Sequence, residues 1–215
     1  LLKSAAHDRN VLKLLRQYAV RTAREQFGLG VYIRGLIEVS SYCRQDCMYC
    51  GLRRSNRNAE RYRLSADEIM RCAEEGYKLG FRTFVLQGGE DGTHTDRWLV
   101  DVIGTLRSTY PDVAITLSLG ERSEESYRQL KEAGANRYLL RHETANSELY
   151  ASLHPASRGL EHRLDCLRSL KKLGYQDQID DYLKLLIDTN NIKCLPEEVQ
   201  EMYKSVKEYE GFYIA

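Results

Sequence analysis

Beyond Cys47–Cys50, no second C-x-x-C and no H-x₃₋₅-H pair occurs in this 215-residue chain. Structural zinc is normally closed by four ligands drawn from such pairs, so zinc is disfavoured from the outset. An excess of one charge is also missing: 32 Lys and Arg stand against 31 Asp and Glu, a net charge of +1. On charge grounds, nucleic acid is not the main partner. No apolar run is long enough to span a membrane. The opening LLKSAAHDRNVLKLL reads as an amphipathic helix without the apolar centre and small-residue cleavage site of a signal peptide. With 42% hydrophobic and 29% charged residues, the composition fits a soluble protein with one sizeable core.

What the chain does have is C-R-Q-D-C-M-Y-C, placing Cys43, Cys47 and Cys50 in one short loop. Three thiolates at that spacing can reach three corners of one iron–sulfur cube and leave its fourth iron without a protein ligand. An open iron is what a substrate or cofactor needs in order to bind. Cys72, Cys166 and Cys194 lie in helical patterns and read as small buried hydrophobes. Clustered thiols that must stay reduced place the chain in the cytoplasm.

The rest alternates. Residues 5–27 are helical by period, with Val11, Leu14, Leu15, Tyr18, Ala19 and Ala23 on one face, and Gly28 and Gly30 end the run. VYIRGLIEVS at 31–40 is a first strand. Ser65 opens a helix to about Leu79, with Glu68 completing a capping box and Gly80 closing it. TFVLQ at 83–87 is a second strand, followed by a helix over about 95–109. AITLSLG at 114–120 is the third, followed by a helix over about 123–133 that stops at Gly134; NRYLLR at 136–141 is the fourth. Such alternation predicts right-handed βαβ units and a parallel sheet.

Each strand ends in chemistry: the cysteine loop, then Gly88-Gly89-Glu90, then Gly120-Glu121, then Arg141-His142-Glu143. Parallel sheets and barrels carry their sites at that edge. A Gly-Gly-Glu turn can bring backbone carbonyls and a carboxylate up to an ammonium without side-chain obstruction. Arg141 and Arg163 are candidates for gripping a carboxylate through paired hydrogen bonds. Spacing alone makes Arg163 a solvated helix charge and His142 a satisfied polar residue at a strand end.

The cysteine spacing, with an aromatic residue before the last cysteine, resembles the radical S-adenosylmethionine (SAM) enzymes. The runs IRGLIEVSSYCRQDCMYCGLRRSNRNAERYRLSADEI, FVLQGGED, TLSLGE, KEAGANRYLLRHETANSELYASLHP and EHRLDCLRSLKKLGY resemble the HydE-type maturases of FeFe hydrogenase over about 31–175. The resemblance implies a TIM-like (β/α) barrel, with a 4Fe–4S cluster on Cys43, Cys47 and Cys50 that reductively cleaves SAM to a 5′-deoxyadenosyl radical. It implies SAM contacts from Gly88, Gly89, Glu90, Arg141, Glu143 and Arg163, with Tyr49 packed beside the adenine and Glu143 facing the ribose hydroxyls. It further implies assembly of the dithiomethylamine-bridged di-iron subcluster from an organometallic iron–cysteine substrate. Implied partners are other hydrogenase maturases and a reductant such as ferredoxin or flavodoxin.

Two relatives offer alternatives. Biotin synthases hold a second cluster on cysteines of neighbouring strands, whereas FRTFVLQGGE and DVAITLSLGE contain none. Methylornithine synthase resembles the chain around SNRN…RYR and is expected to differ at CGLRR and LRHETAN. A third alternative is a catalytically incomplete, truncated barrel, since four βα units precede Tyr175 where a full barrel has eight. DQIDDYLKLLIDTNN and LPEEVQEMYKSVKEYEGFY read as charged amphipathic helices, with Pro196 at the start of the second. The expected organisation is therefore an N-terminal helical segment over 1–30, an α/β half-barrel over 31–175 and a helical tail over 176–215 unlike the family.

Overall fold

The computed structural model describes residues 8–30, 33–141, 143–144 and 146–177. The chain divides into two compact units, one holding the N-terminal helix and the other beginning at Arg34. Helix α1 (Arg9–Phe27) starts on Asp8, whose carboxylate accepts from the Asn10 N–H at 2.8 Å. It stops at Gly28, whose N–H donates to the Arg24 carbonyl. Val11, Leu14, Leu15 and Tyr18 are partly covered while Ala19 and Ala23 are exposed, so the expected face is real but narrower.

The second unit carries five strands among its described residues: β1 (Gly35–Ser40), β2 (Thr83–Gly88), β3 (Ala114–Ser118), β4 (Arg137–Tyr138) and β5 (Gln176–Asp177). All neighbours are parallel and the spatial order is the sequence order. A doubly wound sheet reverses its order at a switch point; this one never reverses, and so belongs to the singly wound, TIM-like type. Between the strands lie α2 (Ala66–Lys78), α3 (Asp96–Thr109), α4 (Glu124–Glu132), α5 (Ser147–Leu153) and α6 (Leu160–Lys172).

Local chemistry sets the helix bounds. Ser65 and Glu68 form the expected reciprocal capping box at α2. Thr95 and Ser123 accept from the backbone N–H three residues on, at the starts of α3 and α4. These helices cover one face of the sheet. Phe84 and Leu86 of β2 are buried with Ile69 and Ala73 of α2, Leu99, Ile103 and Leu106 of α3, and Tyr127 and Leu130 of α4. Alternate residues on the other side stay open: Leu36 is 53% exposed, and Glu38 and Gln87 are bonded at only 3.5 Å. That face corresponds to the lumen side of a barrel.

Three expectations change. The fourth strand, expected over 136–141, is two residues long, because Leu139 onward leaves the ladder after its N–H bonds Leu117 O at 2.7 Å. A fifth strand occupies Gln176–Asp177, where the helical tail was expected to begin. The signal for it was present: Leu173-Gly174-Tyr175 repeats the Gly80-Phe81 and Gly134-Ala135 steps from helix to strand, with Gly174 at φ 70°. Cys166 is buried as expected, but Cys72 is on the solvent face of α2. Cys194, Pro196 and both tail helices lie outside the described residues.

Candidate functional site

The cysteine loop begins at a register shift in β1 between Glu38 and Ser40, which redirects the chain over the carboxyl edge of the sheet. The segment 62–64 then returns beside it. Tyr62 N–H donates to Ser41 Oγ at 2.8 Å, Leu64 N–H to Val39 O at 2.9 Å, and Arg63 bridges antiparallel to Ser40. Arg61 lies under the loop, and its guanidinium donates to the carbonyls of Ser41, Leu52, Arg53 and Asn56.

Asp91, directly after the Gly-Gly-Glu turn, fastens this loop. It accepts from Ser40 Oγ at 2.6 Å and from Arg63 Nε and Nη2 at 2.5 and 3.1 Å. Arg63 also lies 3.6 Å above the Tyr42 ring. Burial alone would raise the Asp91 carboxyl, but the bonds from Arg63 and Ser40 outweigh it and hold the group well below the usual carboxylate range.

The glycines of the turn allow close approach. A Cβ on Gly89 would stand 2.6 Å from Cys43 Cβ and collide with the Tyr42 carbonyl, so only glycine lets the turn lie on the first cysteine. Cys43 Sγ there accepts from the N–H groups of Gln45 and Glu90, each at 3.4 Å. Burial pushes the Cys43 and Cys47 thiols up, against the lowering by those N–H bonds and by the Tyr49 hydroxyl near Cys47. Among the described residues, no three His, Cys, Asp or Glu side chains converge as ligands of a single ion. Cys43, Cys47 and Cys50 are free and partly buried on this one loop, soft sulfur donors of the kind that hold an iron–sulfur cluster.

Glu90 does not offer a free carboxylate. Its Oε2 accepts from Gln45 at 2.7 Å, Arg158 at 2.6 Å and Arg44 at 3.2 Å, and its Oε1 accepts from Glu121 N–H at 3.0 Å. Four protein donors take up most of its hydrogen-bonding capacity. Gly120, at φ 76°, leaves the space Glu90 fills, since a Cβ there would overlap the Glu90 side chain.

Glu121, only 1% exposed, gathers two arginines. It pairs with Arg158, and its Oε1 accepts from Arg163 Nε at 2.6 Å. Arg163 continues to the Arg141 carbonyl at 2.6 Å. With 11% side-chain exposure, Arg163 is no solvated helix charge, because Glu121 holds it inside. Arg141 presents its carbonyl to this chain of contacts while its side chain is exposed.

Tyr49 reaches the other side of the site. Its hydroxyl lies 3.0 Å from His154 Nε2, and the His154 ring stacks on Tyr150 at 3.8 Å. His154 Nδ1 faces the Tyr150 carbonyl at 2.9 Å and must donate to it, so Nε2 accepts from Tyr49. Met48 N–H adds a bond to Leu153 O at 2.9 Å. Burial, then the charges of Glu143 and Cys47, push the Tyr49 phenol far up. Glu143 thus lies near Tyr49, in a left-handed backbone conformation at φ 63° unusual for its type. The buried Tyr150 hydroxyl lies beside the Arg163 guanidinium, whose charge and contact work against the burial that pushes its phenol up.

Of the expected residues, Cys43, Gly89 and Glu90 meet directly, as do Arg163 and Arg141, and Tyr49 stands near Cys47 and Glu143. Gly88 pairs with Ser40 at the end of β2. His142 lies outside the described residues. Local spacing carried no sign of Asp91, Arg158 or His154; Glu121 was marked only by its place at a strand end.

A sequence profile of the radical SAM superfamily matches residues 37–207, reaching into the segment set apart as unlike the family. The chain is 45% identical over 170 residues to the [FeFe] hydrogenase maturase subunit HydE of Thermotoga maritima, covering 79% of this chain and 48% of that protein. Among solved structures, methylornithine synthase (PylB) matches with a TM-score of 0.75 and 26% identity over 80% of this chain and 50% of that one. The [FeFe]-hydrogenase maturase HydG matches with a TM-score of 0.71 and 26% identity over 80% and 39%. The chain spans about half the length of the curated relatives it matches.

Proposed function

We propose a function from one premise: the chain belongs to the radical SAM superfamily, whose members use a 4Fe–4S cluster and S-adenosylmethionine. Cys43, Cys47 and Cys50 hold the cluster, one thiolate to each of three irons, and leave the fourth open to SAM. When bound, the cluster supplies the electron for reductive cleavage of SAM. The protein's own residues bind and orient. Gly89 brings the turn's backbone against the first ligand, and Glu90 stiffens that turn through Gln45 and Arg158. Arg163 keeps two N–H donors after serving Glu121, Arg141 and Tyr150, enough to meet a carboxylate. Glu143 and Tyr49, which lie near one another, have the carboxylate and ring suited to holding a nucleoside.

The physiological role we infer is hydrogenase maturation: assembly of the di-iron subcluster from a small organometallic iron–cysteine substrate, with other maturases and a one-electron reductant as partners. The 45% identity to a HydE maturase carries this reading. A carbon-skeleton rearrangement like that of methylornithine synthase is the second reading, favoured by the TM-score of 0.75. Free cysteines at the site favour the cytoplasm, and no helix among the described residues is long and apolar enough to cross a membrane.

Anaerobic reconstitution followed by electron paramagnetic resonance, with and without SAM, tests the reading. A 4Fe–4S signal that shifts on adding SAM and is lost in Cys47→Ala supports it; a signal indifferent to SAM sinks it. Product analysis then separates the two readings, since methylornithine formed from lysine would select the second.

A further inference from the structure

We propose that the lobe wrapped around the cysteine loop, which exposes Met48, Arg54 and Arg57, is the docking face for an acidic one-electron carrier protein. This inference rests on the radical SAM reading, because a cluster that spends an electron must be refilled from outside. Residues 44–63 contain six arginines (44, 53, 54, 57, 61 and 63) and two acids (Asp46 and Glu60), a local charge of +4. The whole chain carries +1, so the remainder carries −3 and the positive charge is concentrated beside the ligands.

The lobe is folded onto the loop. Arg54 N–H donates to Gln45 O at 2.8 Å, Ser55 N–H to Asp46 Oδ1 at 3.0 Å, and Asn56 Nδ2 to Gly51 O at 2.8 Å. Arg61 binds four carbonyls beneath it, groups that satisfy its donors without cancelling its charge. Arg44 and Arg63 are spent on Glu90 and Asp91. Among the described residues, Arg53, Arg54, Arg57 and Arg61 make no ion pair, and Arg54 and Arg57 are exposed.

At the centre, Met48 stands between two ligand positions and is 67% exposed. An exposed methionine on one lobe with Arg53, Arg54, Arg57 and Arg61, the first of which donates to its carbonyl at 3.5 Å, has the composition of a protein-binding patch rather than of ordinary surface. Its backbone is pinned to Leu153, so the apolar tip is presented from a fixed base. A carrier with an acidic rim around its redox group would be steered here by charge and seated on Met48, beside Cys47 and Cys50.

The test titrates an acidic flavodoxin into the full chain at two salt concentrations and compares wild type with the double variant R54E/R57E. The expected result is salt-weakened binding for wild type and an affinity lower by about tenfold or more for the variant. Reduction of the reconstituted cluster by reduced flavodoxin should slow in parallel, while reduction by dithionite stays unchanged. Equal affinities, or binding indifferent to salt, would overturn the proposal. Salt-sensitive binding of an RNA oligomer without binding of flavodoxin would overturn it as well. The titration does not depend on the cluster: flavodoxin binding lost in the variant, by a chain that forms no SAM-responsive cluster, would keep the docking face and sink the function reading instead.

Discussion

Asp91 and Glu121 end adjacent strands, each a buried carboxylate fastened to arginine, yet they brace the site in different ways. Asp91 reaches back to Ser40 and Arg63, across β1 and β2, which pair over five registered positions. Its arginine is 37% exposed and can turn into water. Glu121 reaches forward to Arg158 and Arg163, past β4, which pairs with β3 over only two positions. Its arginines are 13% and 11% exposed. Where the ladder is long, the carboxylate only has to aim a loop. Where the ladder is short, it must hold elements that backbone pairing barely joins.

The comparison is broken most directly at Glu121. Glu121→Ala leaves the buried Arg163 guanidinium without its anion and Arg158 with Glu90 alone, and should cost about 3–5 kcal/mol. The melting temperature by circular dichroism should fall by about 10 °C or more. A loss no larger than that of an Asp91 variant would mean that the short ladder needs no such brace.

Gly89→Ala tests the well-paired side. The new methyl meets Tyr42 O and Cys43 Cβ, an overlap of the kind that costs about 1–3 kcal/mol. Because the first ligand must move, iron and sulfide content after reconstitution should drop more sharply than stability does. Full loading at normal stability would show that the turn and loop can separate without consequence.

Asp91→Asn should cost about 1–2 kcal/mol, less than a fully buried pair because Arg63 can regain water. The sign with pH is set by its depressed folded pKa. The stabilisation is complete above the unfolded value of about 3.9 and is lost as pH falls through the lower folded value. Urea melts of wild type and variant should differ by a constant amount from about pH 8 to 5, and the gap should close below about pH 4. A gap that widens in acid would show that Asp91 is not held ionised by Arg63.

Much of this was legible locally. Ser65 with Glu68 announced the start of α2, and glycines at 80 and 134 announced its end and that of α4, because caps depend on residues within one turn. The cysteine spacing and the Gly-Gly-Glu turn declared the centre of the site. Arg163 was misread because its environment is made by Glu121, 42 positions earlier, and no helical period records which strand end a helix start will meet. His154 was invisible for the same reason: its partner Tyr49 lies 105 positions away. The fifth strand is a different kind of miss. The helix–Gly step at Gly174-Tyr175 repeats those at Gly80-Phe81 and Gly134-Ala135, but the charged residues after it looked helical.

The smallest effect sharpens the comparison most, because the Tyr49–His154 bond joins the two sides. Tyr49 stands on the cluster loop and His154 at the end of α5, and the 3.0 Å bond between them crosses from the Asp91 side to the Glu121 side. Tyr49→Phe keeps the ring against His154 and removes only the hydroxyl, so Nε2 loses its donor and the cost should be about 1 kcal/mol. The tautomer supplies a second readout. With Nδ1 donating to the Tyr150 carbonyl, nitrogen shifts of His154 should report a proton on Nδ1 in both proteins, and only the Nε2 shift should move in the variant. If stability and both shifts are unchanged, the hydroxyl is bonded to water instead, and the two braces act independently.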